Sequence, residues 1–198
     1  MERPFSQACV NNAEPILAVL QNHLTDIRAL LEIGSGTGQH AVYFAPRFPQ
    51  LVWHTSDLVE NHPGICQWIE ECSADNLRSP VALNVSQQPW PITGVDAVFS
   101  ANTLHIMSWA DAQCCIRGAA DNLLPGGKLI VYGPFNYDGC YTSDSNARFD
   151  QWLRSRSPVS GIRDFEAVCE CAAEGGLRLL EDNAMPANNR CLVFQKAV

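Results

Sequence analysis

No apolar run in this chain approaches the roughly 20 residues that a membrane-crossing helix needs. The opening Met1-Glu2-Arg3-Pro4 also lacks the basic stretch and apolar core of a secretory leader. Both absences point to a cytoplasmic protein with no membrane partner. Basic residues are scarce: 13 Lys and Arg against 21 Asp and Glu leave a formal charge of -8. Nucleic acid is held mainly through lysine and arginine contacts to phosphates, so the balance argues against that partner and for a small-molecule substrate. None of the nine cysteines falls in a C-x-x-C pair, which argues against a metal site. Their odd, scattered count fits reduced thiols acting as small apolar side chains. Cys114-Cys115 reads either as core or as a redox pair.

What is present is a compact composition and one conspicuous loop. With 198 residues and 46% hydrophobic content the chain can bury one core, and a single domain spanning 1–198 is expected. Within it, Leu30-Leu31-Glu32-Ile33-Gly34-Ser35-Gly36-Thr37-Gly38-Gln39 reads as a buried strand ending in a carboxylate, then three glycines at alternate positions opening a helix. Without a Cβ the backbone can approach a ligand closely, and the helix start offers free N–H groups. A dinucleotide fingerprint would need glycine where Gln39 stands. Glu32 would repel a pyrophosphate but suits a cationic amine such as that of S-adenosylmethionine (SAM). An NAD-dependent oxidoreductase is therefore the weaker reading.

At these residues the chain resembles the class I SAM-dependent methyltransferases, whose first motif has this acidic-x-G-x-G-x-G form. The class places a second carboxylate after the next strand to accept hydrogen bonds from ribose hydroxyls. Leu51-Val52-Trp53-His54-Thr55-Ser56-Asp57 supplies Asp57, 19 residues after Gly38. The resemblance implies a Rossmann-like α/β fold: a seven-stranded, mostly parallel sheet with helices on both faces and an antiparallel last strand. SAM would be the cofactor and S-adenosylhomocysteine (SAH) the product.

The periodicities agree with alternating helices and strands. Helices are expected from about Glu14 to His23 with Asn12 as cap, Gly38 to Phe48, His62 to Asp75, from Ser108 or Asp111 to Leu124-Pro125-Gly126-Gly127, and from Asp164 to Glu174. Strands are expected at Arg28 to Ile33, Leu51 to Ser56, Val81 to Val85, Gly94 to Ser100, Lys128 to Phe135, Leu177 to Asn183 and Arg190 to Gln195. The segment from Asn136 to Arg163 is too long for an ordinary connection and reads as a lid over the site, with a helix beginning near Ser145. Its exposed aromatics would suit a dimer contact, so the chain is read as monomer or homodimer.

Nearly the whole chain resembles a narrower family of uncharacterised methyltransferase-like proteins. The resemblance rests on Phe5-Ser6-Gln7-Ala8 with Asn12 to Leu17, Glu32 to His40, Asn102-Thr103-Leu104-His105-Ile106, Tyr132-Gly133-Pro134-Phe135, Ser145 to Asp150 and Met185 to Asn189. It marks Asn12, Glu32, Gly34, Ser35, Gly36, Gly38, Gln39, His40, Asp57, Asn84, Val85 and Asn102 as cofactor-binding candidates. Family members commonly carry a basic residue at Asn11 and an aspartate at Asn84. Asn84 could accept from the adenine amine or cap a turn. The N-terminal segment to Asn12 either folds over the cofactor or frays.

The expected chemistry is in-line displacement of the sulfonium methyl by a small polar or anionic acceptor, with oxygen favoured. A hydroxyl acceptor would use a base: His105 is the first candidate and Tyr141 the second, with Asp144 weaker. Phe135, Tyr141, Asn146, Arg148 and Arg154 are substrate-binding candidates. Arg148, Arg154, Arg156 and Arg163 could meet an anionic acceptor or form a solvated helix face. A SAM-binding regulatory or scaffold protein without turnover has the same cofactor motifs.

Overall fold

The computed structural model describes residues 3–198; Met1 and Glu2, half of the stretch read for a leader, lie outside it. Nine strands run β1 Ala29–Ile33, β2 Val52–Asp57, β3 Leu77–Ala82, β4 Val95–Ala101, β5 Leu123–Gly133, β6 Phe135–Asn136, β7 Arg163–Asp164, β8 Leu177–Met185 and β9 Asn189–Lys196. Six helices accompany them: α1 Gln7–His23, α2 Gln39–Phe44, α3 His62–Glu70, α4 Trp109–Asn122, α5 Asp144–Arg156 and α6 Phe165–Glu174. The main sheet has the order β3-β2-β1-β4-β5-β9-β8. Pairing is parallel from β3 to β5, and β9 runs antiparallel to both β5 and β8. The expected fold class is thus observed: six strands point one way and only the last is reversed.

Alternation along the strands divides the core in two. Leu31, Val98, Leu129 and Leu192 pack with Cys115, Ile116, Val168 and Cys171 of α4 and α6 on one face. Leu30, Trp53, Phe99, Ile130 and Val193 pack with Ile16, Leu20 and Phe44 of α1 and α2 on the other. Burial pushes the Cys115 and Cys191 thiols up to about 12, so both remain protonated and behave as the small apolar groups expected of them. No helix among the described residues is long and apolar enough to cross a membrane.

Several boundaries differ from the sequence reading. Helix α1 starts seven residues earlier than Glu14, and Pro15 lies inside it. Asn12 is not its cap but a buried interior residue whose amide oxygen accepts from His40 Nε2 at 2.7 Å. Helix α2 stops at Phe44 because Pro46 cannot donate, and Ala45–Arg47 tightens into a 3-10 turn. Helix α3 ends at Glu70, short of Asp75, and Asn76 Nδ2 then donates to the carbonyls of Ala45, Phe48 and Leu51. Strand β3 sits earlier than Val81 to Val85, leaving Asn84 and Val85 in the loop beyond its end. Strand β5 begins at Leu123, with Pro125-Gly126-Gly127 absorbed as a register shift against β4. Residues 136–163 include α5, and their neck is stitched by the short parallel ladder Phe135↔Arg163 and Asn136↔Asp164.

Candidate functional site

The loops leaving the carboxyl ends of β1 to β5, together with α5 and the Pro186–Asn188 turn after β8, enclose one cavity of about 1060 Å³. In open sheets of this kind the strand carboxyl ends are where ligands bind. The glycine loop forms one wall. Gly34 has φ +70, and a Cβ there would stand 2.7 Å from Thr103 Cγ2; Gly38, at φ +90, would press within 3.1 Å of the Ile65 backbone. These two glycines let the loop lie flat between the β4 loop and α3.

Beneath the loop, Glu32 Oε2 accepts from Ser35 Oγ and from Trp53 Nε1, both at 3.0 Å. Burial pushes its carboxyl up to about 7, against the pull of those two donors. Glu32 is therefore a support for Ser35 and does not line the cavity. Gly38 and Gln39 also lie behind the wall. Gln39 Oε1 accepts from Ser6 N at 2.5 Å while its Nε2 donates to Ser6 O at 3.3 Å, a two-point clamp on the N-terminal segment. Trp68 Nε1 donates to Pro4 O at 2.7 Å, and the Arg3 guanidinium lies 3.6 Å over the Trp68 ring.

Asp57 ends β2 inside the cavity. Its Oδ2 accepts from Gly36 N at 2.7 Å, and its Oδ1 from Leu58 N and Asn61 Nδ2, both at 2.7 Å. Oδ2, with one protein donor, keeps capacity for another. Asn84 Oδ1 accepts from Ser86 N and Oγ, the turn-capping arrangement, while Asn84 and Val85 line the same end. His40 also lines it; burial lowers its imidazole to about 4, so the ring is neutral and donates to Asn12.

The other end is built around His105. Burial lowers its imidazole to about 4 and the Arg163 cation pushes the same way, so the ring is neutral at physiological pH. It meets Phe149 of α5 edge-on at 5.4 Å. Its loop is held by Gly161 N donating to His105 O at 2.9 Å, by Ser160 Oγ donating to Ile106 O, and by Arg163 Nε donating to Leu104 O at 3.0 Å. Asn102 takes the left-handed conformation at φ 58, which turns the chain into this loop. Asn146 Nδ2 donates to Thr142 Oγ1 at 2.9 Å and to Asn188 O at 3.1 Å, tying α5 to the turn after β8.

Asn12, Gly34, Ser35, Gly36, His40, Asp57, Asn84, Val85, Asn102, His105 and Asn146 thus surround one cavity. Five other expectations fall elsewhere. Phe135 is 1% exposed and belongs to the core. Tyr141 donates its hydroxyl to Asp150 Oδ2 at 2.8 Å, which holds its phenol above the usual range, and it is off the lining. Arg154 Nε bonds the same Oδ2 at 2.7 Å, and Arg148 is an exposed residue of α5 outside the lining. The three α5 arginines therefore form no anion pocket: Arg154 is bonded to Asp150, Arg156 lies over the Trp152 ring, and Arg148 is exposed outside the lining. Asp144 is an exposed first-turn residue of α5.

Sequence reasoning missed Asn61, Thr103, Tyr132 and Asn189, all of which line the cavity. Tyr132 carried a signal, a hydroxyl in an otherwise apolar strand run; its phenol is raised by burial, with the Asn12 and Asn189 amides pulling the other way.

A family model described as a protein of unknown function (DUF938) matches residues 3–196. Solved structures with the same fold include an O-methyltransferase family protein from Burkholderia thailandensis (18% identity, TM-score 0.84, 96% of this chain and 57% of that one). The SAM-dependent methyltransferase SibL is similar (21%, 0.81, 96% and 56%), as is human N-acetylserotonin methyltransferase in complex with SAM (14%, 0.80, 97% and 53%). This chain spans just over half the length of each. The shared feature is the class I methyltransferase fold.

Proposed function

The chain belongs to the DUF938 family, and from its methyltransferase-like fold we propose that it is a SAM-dependent methyltransferase acting on an oxygen of a small polar molecule. The observation that carries this reading is the Gly36 N to Asp57 Oδ2 bond, which fixes a ribose-type carboxylate against a glycine loop, in one cavity with His105. The residues fit the cofactor: Gly36 lines the cavity with no protein atom beyond its chain neighbours nearer than 3.9 Å to where a Cβ would stand, and Asp57 Oδ2 keeps acceptor capacity. Asp57 would take the ribose hydroxyls, Asn84 and Val85 the adenine side, and Asn12 with the glycine-loop backbone the amino-acid end.

When bound, SAM supplies an electrophilic methyl. The protein's part is to hold the acceptor oxygen in line with it and keep water out, and such alignment contributes on the order of 7–11 kcal/mol. The 136–163 segment serves as the lid, with Asn146 and Phe149 on its inner side. His105 presents a neutral imidazole with a lone pair free to accept the acceptor's proton, a role typically worth about 10² to 10⁴ in rate. At about 4 its basicity is low, so positioning outweighs proton removal here. Tyr141 lacks this opportunity because its own proton is committed to Asp150.

Thermal unfolding with SAH, SAM and NAD tests the cofactor. At about 100 times its dissociation constant a ligand stabilises by roughly 2.7 kcal/mol, so a rise with SAH and SAM and none with NAD is expected. A rise with NAD alone, or with no ligand, contradicts the reading.

A further inference from the structure

Resting on the methyltransferase reading, we infer that the acceptor end of the cavity takes a molecule with an apolar body and a polar handle, and excludes anions. Among the described residues no lysine or arginine lines the cavity. Of the arginines in the 136–163 segment, Arg148 is exposed outside the lining and the other three are engaged elsewhere. Arg154 pairs with buried Asp150, and Arg163 donates to the carbonyls of Leu104, Met107 and Val159. Arg156 lies 5.6 Å over the exposed Trp152 ring.

The carboxylate at this end, Asp111, would repel an anion. Its Oδ2 accepts from Ser108 Oγ at 2.6 Å, which fixes the carboxylate in the first turn of α4. The walls are Ile106, Met107, Pro134, Phe149, Val159 and Ala187. Ile106 and Val159 are 59% and 57% exposed at the mouth, apolar surface that an apolar body would cover. The polar groups are neutral dipoles, the Tyr132 hydroxyl and the Asn146 and Asn189 amides, joined by the uncharged His105 ring. They match a hydroxyl or carbonyl and offer no countercharge to an anion. A negative charge brought into such a site goes unpaired, and unpaired burial is what makes it bind poorly.

Ligand-observed NMR on SAH-loaded protein, with two fragments sharing one carbon body, tests the inference: 4-hydroxybenzyl alcohol and 4-hydroxybenzoate. SAH loading is followed separately by calorimetry, so failure of the methyltransferase reading shows as a missing isotherm whatever the fragments do. The alcohol is expected to bind at least about tenfold more tightly than the carboxylate, whose charge finds no partner there. Phe149→Arg, or Val159→Arg at the exposed rim should the first variant melt early, is expected to turn the preference toward the carboxylate. Equal or tighter binding of the carboxylate by the parent protein, or binding of neither fragment, overturns the inference.

Discussion

Gly34, Glu32 and the two neutral histidines carry the sharpest single-residue consequences. Gly34→Ala forces a left-handed alanine, about 1–2 kcal/mol on general grounds, and drives its methyl into Thr103. A lowered melting temperature together with weakened SAH affinity is expected; unchanged values for both would show that the loop can shift freely. Glu32 holds its proton up to about pH 7 when folded but gives it up near 4.5 when unfolded. The folded state therefore binds more protons across that window, and stability falls there by about 3 kcal/mol as pH rises. Glu32→Gln removes this loss, so the variant should match the parent near pH 4.5 and exceed it above pH 7 in denaturant titrations. His40 and His105, lowered to about 4 from 6.5, act in the opposite sense: their stability contribution is present above 6.5 and is lost as pH falls toward 4. NMR titration of the ring protons should find both still neutral at pH 5.5, whereas an ordinary exposed imidazole is mostly charged there.

Among the elements, α5 and its return segment depend on Asp150. This buried carboxylate accepts from Tyr141 OH, Arg154 Nε and, at 2.6 Å, Ile162 N, so it pins the 157–163 turn that in turn holds the His105 loop. Asp150→Ala strands the Ile162 N–H, a loss of about 1–3 kcal/mol. Faster amide exchange should appear across 157–163 while the β1 and β4 amides stay protected; uniform protection throughout would mean the turn stands without it. Helical spacing alone could have paired Arg154 with Asp150 four residues earlier, but the Tyr141 and Ile162 bonds are products of the fold. The same reason hid the true start of α1. Asn12 has the composition of a cap, yet its contact with His40, 28 residues away, and the Gln39 clamp on Ser6 extend the helix past it.

At the scale of the whole molecule, the sheet and its site were largely readable from the chain. Strand spacing, the glycine loop and Asp57 are local signals, and the rule that ligands meet strand carboxyl ends supplied Asn102 and His105. The inner surface of the 136–163 segment was only partly readable, since Asn146 reaches the cavity by bonding Asn188, and Asn189 and Tyr132 arrive from β9 and β5. The account therefore requires that the Asp57 end and the His105 end work as one site. The direct measurement is incubation with methyl-labelled SAM and a small-molecule cell extract, following label and SAH together. The account predicts label in a small molecule with one SAH formed per methyl moved, abolished in Asp57→Ala. SAH binding with no label transferred from any extract would contradict it and leave a SAM-binding protein without turnover.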